Sequence, residues 1–401
     1  MSDIVIPYGA YWVTPFARWQ GSLAHLHSLT FAAYVARHAL ARRRIDPAVF
    51  DHGVLGTTVP QKGAFYGMPW LMGEIGAAHV GGPTISQACA TGVRVLQSAA
   101  SEIREGQARV CLALAADRTS NGPHIYYPAP DGMGGTGQHE NWVLDNFERD
   151  PFAQVQMIDT AENVARRFGF STAQQNELTL RRYQQFADAL ADDSAFLRRF
   201  MDLPFEVPDA RHKRVLTTLH GDEGIFPTTA EGLARLKPLR EGGTVTFGGQ
   251  THPADGNAGI VLTTRERARE LSSDPAIDIR IRSFAQARVE RAYMPAAPVP
   301  AARRALEAAG CAMSDMAAVK THNPFVVNDL CLAASFEIDP AAFNNYGSSL
   351  VWGHPQGPTG FRGVIELIEE LVIRGGGRGL FVGCAAGDTA MAVVLEVGDS
   401  R

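Results

Sequence analysis

Apolar and polar positions run along this chain in two rhythms. SLAHLHSLTFAAYVARHALARR (22–43) places apolar side chains at helical spacing and ends in a basic cluster, which predicts a helix with one buried face. PTISQACATG (83–92) reads as a short buried strand and a turn, and GVRVLQSAASEIREG (92–106) as an amphipathic helix stopped by Gly106. ARVCLALAADRTS (108–120) is an unbroken apolar run, the pattern of a strand covered on both faces. From 119 to 245 the character changes. Turn-forming residues crowd NGPHIYYPAPDGMGGTGQHENW, and polar helices solvated on one side are predicted around 163–168 and 174–190. This block reads as an insertion, with buried strands resuming at TVTFGGQ (244–250) and NAGIVLTT (257–264).

The last third repeats the first. TGVRVLQSAASEIREGQARVCLALAADRTS (91–120) lines up with TGFRGVIELIEELVIRGGGRGLFVGCAAGDTA (359–390), Gly92 with Gly360 and Asp117 with Asp388. In each copy Thr-Gly opens a helix, Gly closes it, and a buried strand ends in small residues and Asp. One αβ unit used twice implies two similar halves packed together, with the turn before each Thr-Gly near the centre.

Composition narrows the class. With 401 residues, 45% hydrophobic and 20% charged, the chain is a folded globular protein, long enough for two or three units at roughly 150 residues each. A formal charge of −5 gives no basic excess, so no nucleic-acid partner is expected. No apolar run reaches the roughly 18 residues of a membrane span, and no basic-then-apolar leader opens the sequence. A cytoplasmic location is therefore expected. Cys89, Cys111, Cys311, Cys331 and Cys384 are odd in number and scattered, which fits free thiols better than a disulfide framework.

Cys89 sits between a strand and a helix. The helix dipole and free N–H groups there are expected to lower the thiol pKa and to hold an oxyanion. His354 lies in GHPQGPTG (353–360), the equivalent turn of the second copy, and is the titratable group of a rigid Gly/Pro loop. A phosphate cradle is disfavoured there, because no Lys or Ser/Thr follows in P-loop order. Cys384 and His322 each end a predicted strand. The spacing of these four lacks CxxC or HxxxH, so no metal site is expected.

Cys89 in a C-x-[ST]-G turn, the G-H-P-x-G-x-[ST]-G loop and a late Cys-x-x-Gly together resemble the thiolase family. The likeness runs through TPFARWQGSLA (14–24), MIDTAENVARRFGFSTAQQNELTLRRYQ (157–184), the 222–259 segment and MPAAPVPAARRALEAAG (294–310). It implies a five-layered α/β/α/β/α fold with 1–118 and 246–266 in the N-terminal half, 119–245 as a loop domain and 267–401 as the C-terminal half. It further implies Cys89 as acyl-carrying nucleophile, His354 as its base and Cys384 as acid/base at the α-carbon. The N–H groups of Cys89 and Ala386 would form one oxyanion hole, and His322 would serve the other with His354. Met157, Met294 and Phe325 match the pantetheine and acyl pocket, Thr251 a Ser near the pantetheine, and Gln156 replaces a frequent His. Arg211, Lys213 and Arg214 are the cations expected at the phosphate end of coenzyme A. No permanently bound cofactor is implied; coenzyme A and acyl-CoA are substrates, and a homodimer or tetramer is expected.

The family's Asn-Glu-Ala-Phe appears here as His322-Asn323-Pro324-Phe325, which leaves the role of Asn323 open, and Asp388 is an extra acid after the second Cys. These departures favour a β-ketoacyl-CoA other than acetoacetyl-CoA. Trp352, Trp142 and Tyr346 are the candidates to line a larger pocket. An aryl-substituted, benzoylsuccinyl-CoA-like substrate handled with a small accessory subunit is one variant. A ketosynthase-like condensing enzyme with a Cys-His-His set, and a non-catalytic scaffold, are the alternatives in other classes; Cys384 argues against the ketosynthase.

Overall fold

A computed structural model describes residues 3–135 and 137–399. Nine strands follow one another across a single sheet in the order Met316–His322, Gly377–Ala385, Thr389–Asp399, Ile277–Arg288, Ile4–Val5, Ala254–Thr264, Val110–Arg118, His52–Gly56 and Thr84–Ile85. Tyr11–Val13 and Ala17–Arg18 also pair with Ala254–Thr264, which makes eleven strands in all. The duplication is visible in the pairing. His52–Gly56 runs parallel to Val110–Arg118, whose other neighbour, Ala254–Thr264, is antiparallel. Met316–His322 runs parallel to Gly377–Ala385, whose other neighbour, Thr389–Asp399, is again antiparallel.

Alternation along the central strands builds the layers. Cys111, Ala113 and Ala115 face the helices Thr91–Arg104 and Gly357–Ile373, while Leu112, Leu114 and Ala116 face Ser28–Arg42 and Gly67–Ile75. In the other half Met391, Val393 and Leu395 face the same two inner helices. Ala390, Ala392 and Val394 pack with the outer helix Pro298–Ala309. Both faces of each half-sheet are thus apolar, which is why the strands read as continuous hydrophobic runs. The two inner helices meet at glycines: a Cβ on Gly92 would lie 2.6 Å from the Gly357 carbonyl oxygen, and one on Gly360 would lie 3.3 Å from the Val93 nitrogen.

The inner helix Gly357–Ile373 carries four charged residues that are at most 1% exposed. Each is compensated. Arg362 donates to Asp222 at 2.6 and 2.8 Å and to Glu366 at 2.9 Å, and Glu366 also pairs with Lys320. Glu369 accepts from Tyr11 and Arg199, both at 2.6 Å, and Glu370 accepts from Arg374 and Asn345. A buried charge that lost its partner would cost several kcal/mol, on the order of 3–5. Among the described residues no helix is long and apolar enough to cross a membrane.

Several local expectations are corrected. The first helix begins at Ser28 rather than at 22, after a series of turns. The strand before Cys89 is only Thr84–Ile85; it is the sheet edge, and Thr84 is exposed. TVTFGGQ forms no strand. Phe247–Gly249 is a 3-10 turn, because Gly248 and Gly249 fit against Leu233 and Val326 where a pleated side chain has no room. Between residues 119 and 245, helices span Met157–Phe168 and Thr172–Ser194, the latter interrupted by non-helical backbone at 191–193.

Candidate active site

The two duplicated turns converge at the inner helices. Cys89 precedes Thr91–Arg104, following Ala88 at a φ of 44°. His354 precedes Gly357–Ile373, and Gln356 between them takes φ 60° and ψ −103°, a backbone conformation rare for a side-chain-bearing residue. Asp117, at the end of its strand, ties these turns together. Its Oδ1 accepts from Thr57 Oγ1, Thr58 N and Val59 N, and its Oδ2 from Thr58 Oγ1 and, at 2.9 Å, from Gly357 N. Its pseudo-symmetric counterpart Asp388 accepts from the N–H groups of Ala292 and Tyr293 at 2.9 and 3.0 Å, fixing the approach to Met294.

One ring nitrogen each of His322 and His354 lies within 4.8 Å of the other and of Cys89 Sγ. The chain spacing that argued against a metal site therefore does not keep these three apart in space; they are chemically competent to ligate a soft cation. The two rings stack with centroids 4.1 Å apart and planes 27° apart. His354 Nδ1 is 2.7 Å from Thr359 Oγ1 and His322 Nδ1 is 2.8 Å from Ser349 Oγ, so both Nε2 atoms are left buried without a protein partner. Burial, with His252 nearby, pushes His354 down to about 3; burial, with His354 beside it, holds His322 well below the usual imidazole range. Both rings are neutral at pH 7.

Asn323 is now accounted for. Its Nδ2 donates to Asp329 Oδ2 at 2.6 Å and to Ser348 Oγ at 3.0 Å, and its Oδ1 accepts from Leu350 N at 3.0 Å. Asp329 is held by the fully buried Arg182 of the insertion at 2.9 Å. Asn323 Oδ1 also accepts from the Ser349 hydroxyl at 3.1 Å, and Ser349 Oγ in turn accepts the Asn323 backbone N–H at 3.1 Å, so the hydroxyl beside His322 Nδ1 is anchored on both sides by Asn323.

The expected low pKa of Cys89 is not found. The N–H groups of Cys89 and Ala386 do point at its sulfur and favour the thiolate, but burial outweighs them and pushes the thiol up to about 11. The helix N-terminus lowers the cost of the anion without making it the resting form. Cys89 Sγ–H instead donates to Gln356 Oε1 at 3.3 Å. Cys384 is fully buried, held well above its ordinary value by burial and by Cys89 nearby, and receives Asn328 Nδ2–H at 3.1 Å. Sequence reasoning named neither amide. A lone Gln in a loop or Asn in a helical segment carries no signal until the backbone fold is known.

The remaining candidates divide. Met294, Phe325 and Cys384 share one apolar cluster, with Met157 packed against it. Thr251 N–H donates to Pro324 O at 2.8 Å, and its hydroxyl to Ser349 O, which stitches it beside the His322 turn. Gln156 is the N-cap of Met157–Phe168; its backbone N–H donates to Asp159 Oδ2 at 2.9 Å and its side chain accepts from Arg240. Arg211, Lys213 and Arg214 are exposed on the turn of the Phe205–Pro208/Val215–Leu219 hairpin, whose Phe205 and His212 rings contact Phe31 and Tyr34 of the outer layer. They are not part of the Cys89 cluster. The three aromatic candidates are committed elsewhere. Trp352 is core, edge-on to Phe16 and under the Arg362 guanidinium; Tyr346 stacks on Phe196 at 3.9 Å; Trp142 Nε1 donates to Thr58 O.

The thiolase N-terminal domain family model matches residues 10–266, and the thiolase C-terminal domain model residues 276–397. An acetyl-CoA acetyltransferase of Pseudomonas aeruginosa is 30% identical, covering 98% of this chain and 99% of that protein. A beta-ketothiolase of Cupriavidus necator is 27% identical over 96% of each. The crystal structure of human mitochondrial 3-ketoacyl-CoA thiolase superposes with a TM-score of 0.88 at 25% identity, covering 98% of this chain and 99% of that one. The fold is the one expected, and the chain belongs to the thiolase family of acyltransferases.

Proposed function

We propose that this chain is a coenzyme A-dependent thiolase that cleaves or forms a β-ketoacyl-CoA through an S-acyl intermediate on Cys89. The observation that carries the reading is the meeting, within 4.8 Å, of Cys89 Sγ with one ring nitrogen of each of two neutral histidines whose Nε2 atoms have no protein partner. The relatives named for acetyl-CoA acetyltransferase and 3-ketoacyl-CoA thiolase activity support the same reaction class.

In condensation, His354 Nε2 takes the Cys89 proton as the sulfur attacks the acyl-CoA carbonyl; the CoA sulfur leaves and is reprotonated. The N–H groups of Cys89 and Ala386 receive the oxyanion at the acylated cysteine. The Cys384 thiol passes its proton to His354 Nε2, vacant again once the CoA sulfur has left. The thiolate so formed takes an α-proton from a second acyl-CoA, whose thioester oxygen is held at the two imidazoles. The resulting carbanion attacks the Cys89 thioester, a C–C bond replaces the C–S bond, and the Cys89 thiolate recovers a proton. Thiolysis is the reverse. Resting neutrality of Cys89 and His354 means the ion pair forms only when substrate is in place.

Met157, Met294 and Phe325 around Cys384 supply an apolar wall, which supports an acyl group larger than acetyl. With Trp352, Tyr346 and Trp142 occupied in packing, the geometry gives the aryl-substituted variant no separate support. Arg211, Lys213 and Arg214 remain the proposed cations for the phosphate end of the extended coenzyme A molecule; unchanged KM for CoA in Lys213→Ala and Arg214→Ala removes that assignment. The deciding experiment is mass spectrometry after acyl-CoA treatment, combined with thiolysis rates over a series of β-ketoacyl-CoAs. An acyl adduct on Cys89 is expected. An unmodified Cys89 overturns the mechanism, and highest kcat/KM on acetoacetyl-CoA overturns the larger acyl group.

A further inference from the structure

Each of the two working thiols touches one carboxamide, and the polarity is opposite at the two. At Cys89 the sulfur is the donor, to Gln356 Oε1. At Cys384 the sulfur is the acceptor, from Asn328 Nδ2. The orientation of the Asn328 amide is set independently of the sulfur. Its Oδ1 accepts the Phe325 backbone N–H at 3.3 Å, a site that only an oxygen can fill, so the NH2 end must face Cys384. Asn328 is 2% exposed and Cys384 fully buried, so the contact lies away from bulk solvent.

This contact stands against an otherwise unfavourable field. The groups facing Cys384 are Cys89 from the turn before Thr91–Arg104 and Asp329 from the same helix as Asn328, and both oppose a negative sulfur. Among the described residues the N–H of Asn328 is the side-chain contact that favours it, together with the backbone N–H of Cys384 itself. An N–H donated to a neutral thiol is weak, whereas one donated to a thiolate is charge-assisted and roughly twice as strong. The contact therefore gains strength as Cys384 loses its proton. It also fixes the direction of the remaining sulfur lone pairs.

We infer that Asn328 is a positioning residue for the carbon-acid step: it holds Cys384 as the proton acceptor for the α-carbon and stabilises the thiolate that takes that proton. The inference rests on the thiolase reading above. The step balances within the site: the Cys384 thiol proton passes to His354 Nε2, the α-proton moves to the Cys384 sulfur, the electron pair stays on the α-carbon as it attacks the Cys89 thioester, and the His354 proton passes to the freed Cys89 thiolate.

The test separates two partial reactions of the full chain with acetyl-CoA. Exchange of labelled CoA into acetyl-CoA reads acyl transfer at Cys89. Uptake of solvent deuterium into the acetyl methyl group reads proton removal by Cys384. Asn328→Asp keeps an oxygen for Phe325 N–H but turns an acceptor toward the sulfur; Asn328→Ser removes the reach. For both, methyl exchange is expected to fall at least tenfold more than CoA exchange, and its pH profile to move upward by a unit or more. Equal losses in both exchanges, or an unshifted profile, overturn the role of Asn328. Wild-type enzyme that shows neither exchange with acetyl-CoA nor with longer-chain acyl-CoAs overturns the thiolase reading instead.

Discussion

The contact between the inner helices makes a quantitative prediction, because the two glycines that form it are not equivalent. Gly92→Ala would place a methyl group 2.6 Å from the Gly357 carbonyl oxygen and 3.0 Å from the Phe361 nitrogen. Both obstacles are backbone atoms of the other helix, so relief requires the helices to part rather than a side chain to turn. Overpacking of this kind costs about 3 kcal/mol at the upper end of its range, and the gain of alanine over glycine within a helix returns only about 1 kcal/mol. The net expectation for Gly92→Ala is a loss of about 2 kcal/mol. Gly360→Ala meets the Val93 nitrogen at 3.3 Å and the Gly92 Cα at 3.5 Å, contacts that a shift of tenths of an ångström relieves. There the strain and the propensity gain of about 1 kcal/mol nearly cancel. Chemical denaturation at constant m-value reads the difference directly. Gly92→Ala should also slow alkylation of Cys89, since parting the helices displaces the turns that carry Cys89 and His354. Equal midpoints for the two variants would refute the claim that backbone contact, rather than side-chain packing, sets the helix separation.

Three further outcomes follow from the same interior. Asp117→Asn replaces one of two fully used oxygens with an NH2 that meets the Gly357 or Thr58 N–H, so stability should fall by about 1–3 kcal/mol and acylation should slow; denaturation midpoints and the Cys89 adduct rate check both. His354 is held at about 3 in the fold against 6.5 for the free side chain, so its contribution is present above 6.5 and is lost as pH falls toward 3. Each pH unit in that window should remove about 1.4 kcal/mol for that group, a loss that His354→Gln should flatten in denaturation series at pH 7, 6 and 5. Arg182→Met strands the buried Asp329 carboxylate and should cost about 3–5 kcal/mol, with Asp329→Asn added to Arg182→Met restoring part of it.

The duplicated αβ unit, the continuous apolar strands and the positions of Cys89, His354 and Cys384 were legible in the sequence, because each rests on local periodicity or on a turn whose backbone constrains its residues. What the sequence hid depends on distant chain. The acids and Arg362 on Gly357–Ile373 look like a solvated face, yet they are buried against Asp222, Lys320, Arg199 and Tyr11, all far away in the chain. TVTFGGQ has strand-like composition, but Leu233 and Val326 occupy the space its glycines leave. The thiol at Cys89 was assigned a lowered pKa from its helix, a local effect, while the enclosure that raises it comes from both halves. Aromatic residues near a motif suggested a pocket, and Phe16, Phe196 and Thr58 turned out to be their partners.

The stacked imidazoles give the site a fixed capacity. Two unit charges 4.1 Å apart repel by about 4 kcal/mol at an effective dielectric constant of about 20, which corresponds to about three pKa units. His322 and His354 together therefore store a single proton, and their titration belongs to the pair. Once the thiol proton of Cys89 is on one ring, the other stays neutral and keeps its N–H as a donor. No further proton can be taken up until the first has gone out with the leaving sulfur. In the proposed reaction the alternation of half-reactions is thus metered by charge, and needs no moving lid to keep the steps in order.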